Sequence, residues 1–253
     1  MFGLQRWQVE NTVKLIDEGN TIPFIARYRK EAHGTLDDQV LRELSEKLEY
    51  LRNLDKRREE ISASITAQEK MTPEIEAALE KASTLAEIED IYRPFRPKRR
   101  TRASIAKEKG LEPLADAIFA QVADSASPTE LAADYIDAEK GVETAEDAIN
   151  GAMDIIAENI SDDADIRRRL RSLFTVAGVL QSRAADSEKE SVYTMYYEYD
   201  EPVNKIAGHR VLAVNRGENE GFLKVGIDVD HIKALNIINA NVLSDNGSAC
   251  TDT

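Results

Sequence analysis

Cysteine is almost absent from this 253-residue chain. Cys250 is the only one, so no internal disulfide can form and no cysteine-based zinc site is available. It lies in a polar C-terminal stretch, with no acidic or histidine neighbour beside it to activate a thiolate. Histidine is scarce as well. His33, His209 and His231 are far apart, and none falls in an HExxH spacing, so no metal site is expected. Neither a GxxxxGK[ST] loop nor a GxGxxG turn occurs, which removes the usual signatures of a bound nucleotide. With no catalytic set, no cofactor and no small-molecule substrate in prospect, the chain reads as a non-enzyme. Long apolar runs are missing too. The longest nearly apolar stretch, 173–180, is far short of the roughly 20 residues that span a bilayer. Residues 1–8 lack the basic start, apolar stretch and cleavage site of a signal peptide. A soluble, cytoplasmic protein with no membrane partner is expected. Repeats and low-complexity tracts are also absent.

What is present is a chain with 42% hydrophobic residues, enough for a core, and a formal net charge of −14. Taken whole, that charge argues against a nucleic-acid partner. Its distribution argues otherwise: residues 1–70 carry −1, residues 71–109 carry +2, and residues 110–253 carry −15. The acidity is concentrated in one half, away from the main basic cluster.

Helical periodicity dominates to about residue 180. Start signals recur as a hydroxyl residue followed three positions later by a carboxylate: Thr35 with Asp38, Thr84 with Glu87, Ser127 with Glu130, Thr144 with Asp147. At Thr72 and Ser127 a proline follows, at the helical position that needs no N–H. The spacing predicts a first helix over 6–18 with Val9, Val13 and Ile16 inward, and a second, short helix carrying Ile22, Phe24, Ile25 and Tyr28. Residues 35–70 read as one long helix with Leu41, Leu44, Leu48, Leu51, Leu54, Ile61 and Ile65 on a stripe. Short helices are predicted at about 73–82, 85–92, 103–109 and 111–122, then at 128–137, 145–160 and 164–177. The aromatic group 193–199 is expected on a helix ended by Pro202. Val211 to Val214 and Phe222 to Ile227, around a Gly/Asn-rich turn, predict a β-hairpin. The fold class is therefore mainly α: a multi-helix array with one long central helix, a helix-turn-helix-like subdomain over about 71–123, and a small β-hairpin near the C-terminus. The expected organisation is a helical region 1–185, a connecting helix plus hairpin 186–243, and a disordered tail 244–253.

The strongest local feature is the segment Tyr92, Arg93, Pro94, Phe95, Arg96, Pro97, Lys98, Arg99, Arg100, Thr101, Arg102. Six of its eleven residues are basic and none is acidic. The prolines keep it extended or turning, so its side chains fan out from a loop. Arg93, Arg96, Lys98, Arg99, Arg100 and Arg102 are candidates for phosphate contacts, and Tyr92 and Phe95 for stacking on unpaired bases. The alternative is a solvated loop whose arginines pair with the acidic half and whose aromatics belong to the core. A second basic group, Arg167, Arg168, Arg169 and Arg171, falls on a predicted helix where the four cannot share one stripe, and reads as a solvated face. Arg27, Arg29 and Lys30 end a short helix, where the helix dipole favours cations.

Three ordered word-like stretches carry a resemblance. They are residues 22–31 (IPFIARYRKE) with 34–38 (GTLDD); residues 88–102 (IEDIYRPFRPKRRTR), continuing to Ala115; and residues 196–199 (YYEY) with 201–203 (EPV), 209–212 (HRVL) and 215–218 (NRGE). Together they span about residues 7–230 in an order that resembles the N-terminal region of the Tex family of bacterial transcription accessory proteins. The resemblance implies a helical N-terminal region with a helix-turn-helix-like part. In complete members this is followed by an RNase H-like domain, helix-hairpin-helix motifs and an S1 domain, to which nucleic-acid binding is chiefly credited. The sequence stops near the expected start of the RNase H-like domain. The resulting expectation is a nucleic-acid-associated module making nonspecific contacts to DNA or RNA through the basic loop, with transcription machinery as a further partner. The alternative is a helical scaffold that docks other Tex domains or transcription machinery without touching nucleic acid. Six engaged phosphates would give a log–log salt slope of about −5 on DNA.

Overall fold

Polar side chains at helix starts set most element boundaries in the computed structural model, which describes residues 3–97, 99–123 and 126–251. Thirteen α-helices and three short strands occur among the described residues, so the fold is mainly α. The chain divides into two compact units, Met1–Tyr92 and Arg93–Thr253.

In the first unit α1 (Arg6–Asp17), α2 (Ile22–Tyr28) and α3 (Lys30–His33) gather around the start of α4 (Asp38–Ala67). Leu15, Ile25 and Leu41 are the buried centre of this group. The inward face of α1 is centred on Thr12 and Leu15, with Val9, Val13 and Ile16 half-buried at its edges. Helix α3 closes on Gly34 in the left-handed region, and Thr35 follows with φ +59°. Two consecutive left-handed residues take Thr35 out of capping geometry, and its hydroxyl donates to the Gly34 carbonyl instead. The long helix therefore starts later than expected, at Asp37, whose carboxylate accepts from the Gln39 N–H at 2.8 Å. Its 30 residues extend about 45 Å. Leu54, Ile61 and Ile65 are buried in its C-terminal half, where α5 (Pro73–Lys81) and α6 (Leu85–Tyr92) pack on it. Leu51, expected on the stripe, is 43% exposed. The Arg58 guanidinium donates to the carbonyls of Leu79 and Ala82, satisfying the C-terminal end of α5.

The second unit is built around α10 (Ala145–Asp162), against which α7 (Arg102–Glu108), α8 (Glu112–Phe119) and α9 (Pro128–Ala132) pack. Ala148, Ala152, Ile155 and Ile156 form its buried face. A Cβ at Gly151 would lie 2.4 Å from Cδ1 of Leu111, the residue just before α8, so the glycine leaves room for that buried side chain against α10. The expected hydroxyl–carboxylate boxes form at Ser127 with Glu130 and at Thr144 with Asp147. Helix α9 is shorter than expected: after Ala132 the chain tightens into a 3-10 turn. The segment read as one helix-turn-helix-like subdomain is divided. Helices α5 and α6 belong to the first unit, whereas α7 and α8 bury Ala103, Ala106, Leu111 and Leu114 in the core of the second.

Helix α11 (Ala164–Ala177) leads into a three-stranded antiparallel sheet of order β2-β1-β3, formed by β1 (Val179–Ala184), β2 (Glu198–Pro202) and β3 (Leu223–Asp228). Ser182 pairs with Tyr199 on one side and Val225 on the other. The expected hairpin is corrected in two ways. Residues 211–214 lie in α12 (Gly208–Asn219), and the partner of β3 is β1. The aromatic segment likewise forms a 3-10 turn and β2 in place of a helix, and Tyr193 and Tyr196 join Leu180, Val214 and Leu223 in a core on one face of the sheet. The strand agrees with the β preference of aromatic residues, and burial of the rings on the sheet fixes it. Helix α13 (His231–Val242) follows. In place of the expected disordered tail, residues 244–251 fold onto Gln121. Its side chain donates to the Val242 carbonyl and accepts from the Ser244 N–H, both at 2.8 Å, while Cys250 is buried in the α10 core. No helix among the described residues is long and apolar enough to cross a membrane.

Candidate nucleic-acid interface

The basic segment separates after its first residue. Tyr92 is the last residue of α6 and belongs to the first unit. Its hydroxyl lies 3.1 Å from Ser64 Oγ on α4, and the Arg57 guanidinium sits 5.8 Å from its ring centroid. These contacts compete with any base that would stack on it. Arg93, Pro94 and Phe95 form a 3-10 turn, and Thr101 then caps α7 by accepting from the Ser104 N–H at 3.0 Å. The Arg96 N–H closes that turn on the Arg93 carbonyl at 3.3 Å, and Pro97, which has no N–H, lies outside any helix.

In the second unit, Arg93, Arg96, Arg99 and Arg102 line one side of a cleft of about 510 Å³. The other side is a face of α10 bearing Asp154, Glu158 and Asp162, spaced four residues apart so that all three project the same way. Arg93 Nε donates to Asp162 Oδ1 at 2.7 Å, and Asp162 is only 7% exposed. Taking away one partner of such a pair leaves a charge in a poorly solvated place, so Arg93 is firmly held. Arg102 lies 3.3 Å from Asp154 with its side chain 86% exposed, and Arg100 reaches Glu108 at 3.5 Å with both side chains in solvent. Exposed pairs of this kind are worth about 0–1 kcal/mol and exchange readily. Arg96 and Arg99 are exposed and have no ion-pair partner among the described residues. Phe95 is half-buried. Lys98 lies outside the described residues.

The structure thus brings four of the candidate residues to one cleft, leaves Arg100 outside its lining, and places Tyr92 in the other unit. Asp154, Glu158 and Asp162 did not stand out in the sequence. Their four-residue spacing is visible there, but among 47 acidic residues it does not distinguish them.

Some members of the other basic groups are engaged locally. On α11, Arg168 pairs with Asp165 at 2.8 Å and Arg167 donates to the Ser161 carbonyl at 3.2 Å. Near α2, Arg29 sits 3.9 Å from Glu31 and 5.9 Å from the Phe24 ring centroid. His33 is fully buried at the end of α3. Its Nδ1 accepts from the Leu36 N–H at 3.0 Å, which leaves Nε2–H to donate to the Ile25 carbonyl at 3.2 Å. Among the described residues no group of three or more His, Cys, Asp or Glu is arranged to hold a metal ion.

Comparison with known proteins adds two family matches in the order of the chain: the Tex-like protein N-terminal domain over residues 1–66 and the Tex central region-like family over residues 123–249. The chain is 46% identical to the Bacillus subtilis protein YdcI over 92% of its length, and 44% identical to protein tex of Bordetella pertussis over 90%. It is 40% identical to the transcriptional accessory protein Tex of Neisseria gonorrhoeae over 87%. The alignments cover 33%, 29% and 29% of these relatives, so the chain spans a third or less of their length. The two family matches, in sequence order and together covering most of the chain, establish that it belongs to the Tex family.

Proposed function

We propose that this chain is a non-catalytic, nucleic-acid-associated transcription accessory module that touches phosphate backbones nonspecifically through the loop following α6. The observation that carries this reading is the position of Arg96 and Arg99: exposed, without a carboxylate partner among the described residues, and at a cleft that Arg93 and Arg102 also line. Guanidinium groups in that state attract phosphate oxygens without reading bases. The name of the Neisseria relative, a transcriptional accessory protein, supports the same reading.

The six-phosphate estimate shrinks accordingly. With Arg93, Arg100 and Arg102 engaged by carboxylates, the slope on duplex DNA is expected to fall well short of −5, since each phosphate neutralised contributes about −0.9. The test is fluorescence anisotropy of a labelled duplex and a labelled single strand, titrated with the 253-residue chain at several salt concentrations. Arg96→Ala with Arg99→Ala is expected to abolish most binding and flatten the slope. Unchanged affinity in that variant would sink the reading.

A second reading, a scaffold that docks protein partners without touching nucleic acid, is favoured by one specific observation: three arginines of the loop already have carboxylate partners. It requires that the wild-type chain leave both probes unbound at low salt.

A further inference from the structure

The cleft has an unusual composition for a phosphate site, because one wall carries the same sign of charge as the ligand. Asp154, Glu158 and Asp162 stand four residues apart on α10, about 6 Å of rise between successive carboxylates. The two ends of the row hold loop arginines, Asp162 on Arg93 at 2.7 Å and Asp154 on Arg102 at 3.3 Å.

We propose that the carboxylate row of α10 is a built-in competitor for the loop arginines, so that a phosphodiester backbone enters the cleft only by exchanging carboxylate for phosphate. This deepens the phosphate-contact reading and rests on it. The exchange is graded by burial. The exposed Arg102 pair opens first, and the Arg93 pair, anchored on a carboxylate only 9% exposed, opens last or not at all. A row of fixed negative charge also repels any polyanion that has not displaced it. Weak contacts are thereby kept to Arg96 and Arg99, and the full arginine set is reserved for a ligand able to replace the row.

The mechanism has a thermodynamic signature. The salt slope counts phosphates neutralised, because the ions released are those condensed on the nucleic acid, so an arginine that stays on its carboxylate adds nothing to it and one that transfers to phosphate does. Replacing Asp154→Asn together with Glu158→Gln removes the accessible part of the row with side chains of equal size. The buried Asp162 pair is left intact, so the fold is preserved, and Asp154→Asn alone serves as the milder variant. In the anisotropy assay with the 253-residue chain and a labelled duplex at low salt, affinity is expected to rise about five-fold, the equivalent of one exposed ion pair. For Asp154→Asn alone, which frees Arg102, the slope is expected to steepen by about 0.9. Adding Arg96→Ala and Arg99→Ala is expected to reverse the gain. Wild-type binding that depends on Arg96 and Arg99 but is unmoved in affinity and slope by Asp154→Asn and by the double variant overturns the competitor while leaving the phosphate reading intact. Absence of binding by the wild type and by every variant overturns both. Binding that appears only once the carboxylates are removed supports the competitor in its strongest form.

Discussion

At Gly34 two requirements meet. Its φ of +66° lies in the left-handed region, and a Cβ there would come within 2.8 Å of both Gln8 Nε2 and Trp7 on α1. Gln8 uses that same amide to donate to the His33 carbonyl at 3.0 Å, and Asn11 donates to the Ala32 carbonyl, so α1 is clamped to the end of α3 by side chains that need the glycine's empty face. Gly34→Ala is expected to destabilise the first unit by about 2 kcal/mol, combining left-handed strain with the displaced contact. A urea titration should show a lower midpoint with an unchanged m-value, whereas Gly221→Ala, where the same conformation meets open space, should cost less. The glycine was visible in the sequence as part of a family-like word. Its packing role was not, since Trp7 and Gln8 lie on a different helix.

At the scale of elements, the helix starts hold carboxylates in their charged form. Backbone N–H donation from Ser83 holds Glu87 below the ordinary glutamate value of 4.5, backbone donation from Ser127 does the same for Glu130, and the Thr144 hydroxyl lowers Asp147. A folded-state value below the unfolded one contributes stability that is present above the unfolded value and is lost as pH falls through the folded one. Stability is therefore expected to be level near neutrality and to decline as pH drops below about 4.5, with the window extending lower for Asp147. Unfolding midpoints at several pH values check this. Combining Glu87→Gln, Glu130→Gln and Asp147→Asn should flatten the acid limb, and an unchanged limb would mean that other carboxylates govern it.

The elements that local reasoning misplaced have a common cause. Val211, Leu212, Ala213 and Val214 favour strands, and Gly217 reads as a turn, yet all five belong to α12. Gly217 is buried in that helix, and its missing Cβ leaves room for the side chains of Leu223, whose Cδ1 would lie 2.6 Å from it, and of Tyr193, at 3.1 Å. A glycine chosen for close helix–strand approach looks, in one dimension, the same as a glycine chosen for a turn. Strand β1 escaped notice for a related reason: Leu180 and Ser182 point into the protein, and the polar Ser182 breaks the alternation that would have announced a strand.

At the scale of the whole molecule, charge and site are unevenly shared. The acidity concentrates beyond residue 110, in the unit that also contains the four cleft arginines, so attraction and repulsion are built into one body. Because those arginines and the α10 carboxylates all lie within Arg93–Thr253, that unit made alone is expected to keep its helicity and to bind a labelled duplex within about two-fold of the 253-residue chain. Circular dichroism and the same anisotropy assay measure both. A folded unit that has lost the binding would move the site outside the cleft.

Local sequence determined where most helices begin, because a cap involves one side chain and the amides of the next three residues. It also determined that α6 does not run on into α7 and that the break between them is rich in arginine, because Pro94 and Pro97 cannot continue a helix. Which of those arginines meets solvent and which meets a carboxylate was decided by tertiary structure alone. The partner of Arg93 lies 69 positions away on α10, and only the packing of that helix against α7 and α8 brings its carboxylates to the loop.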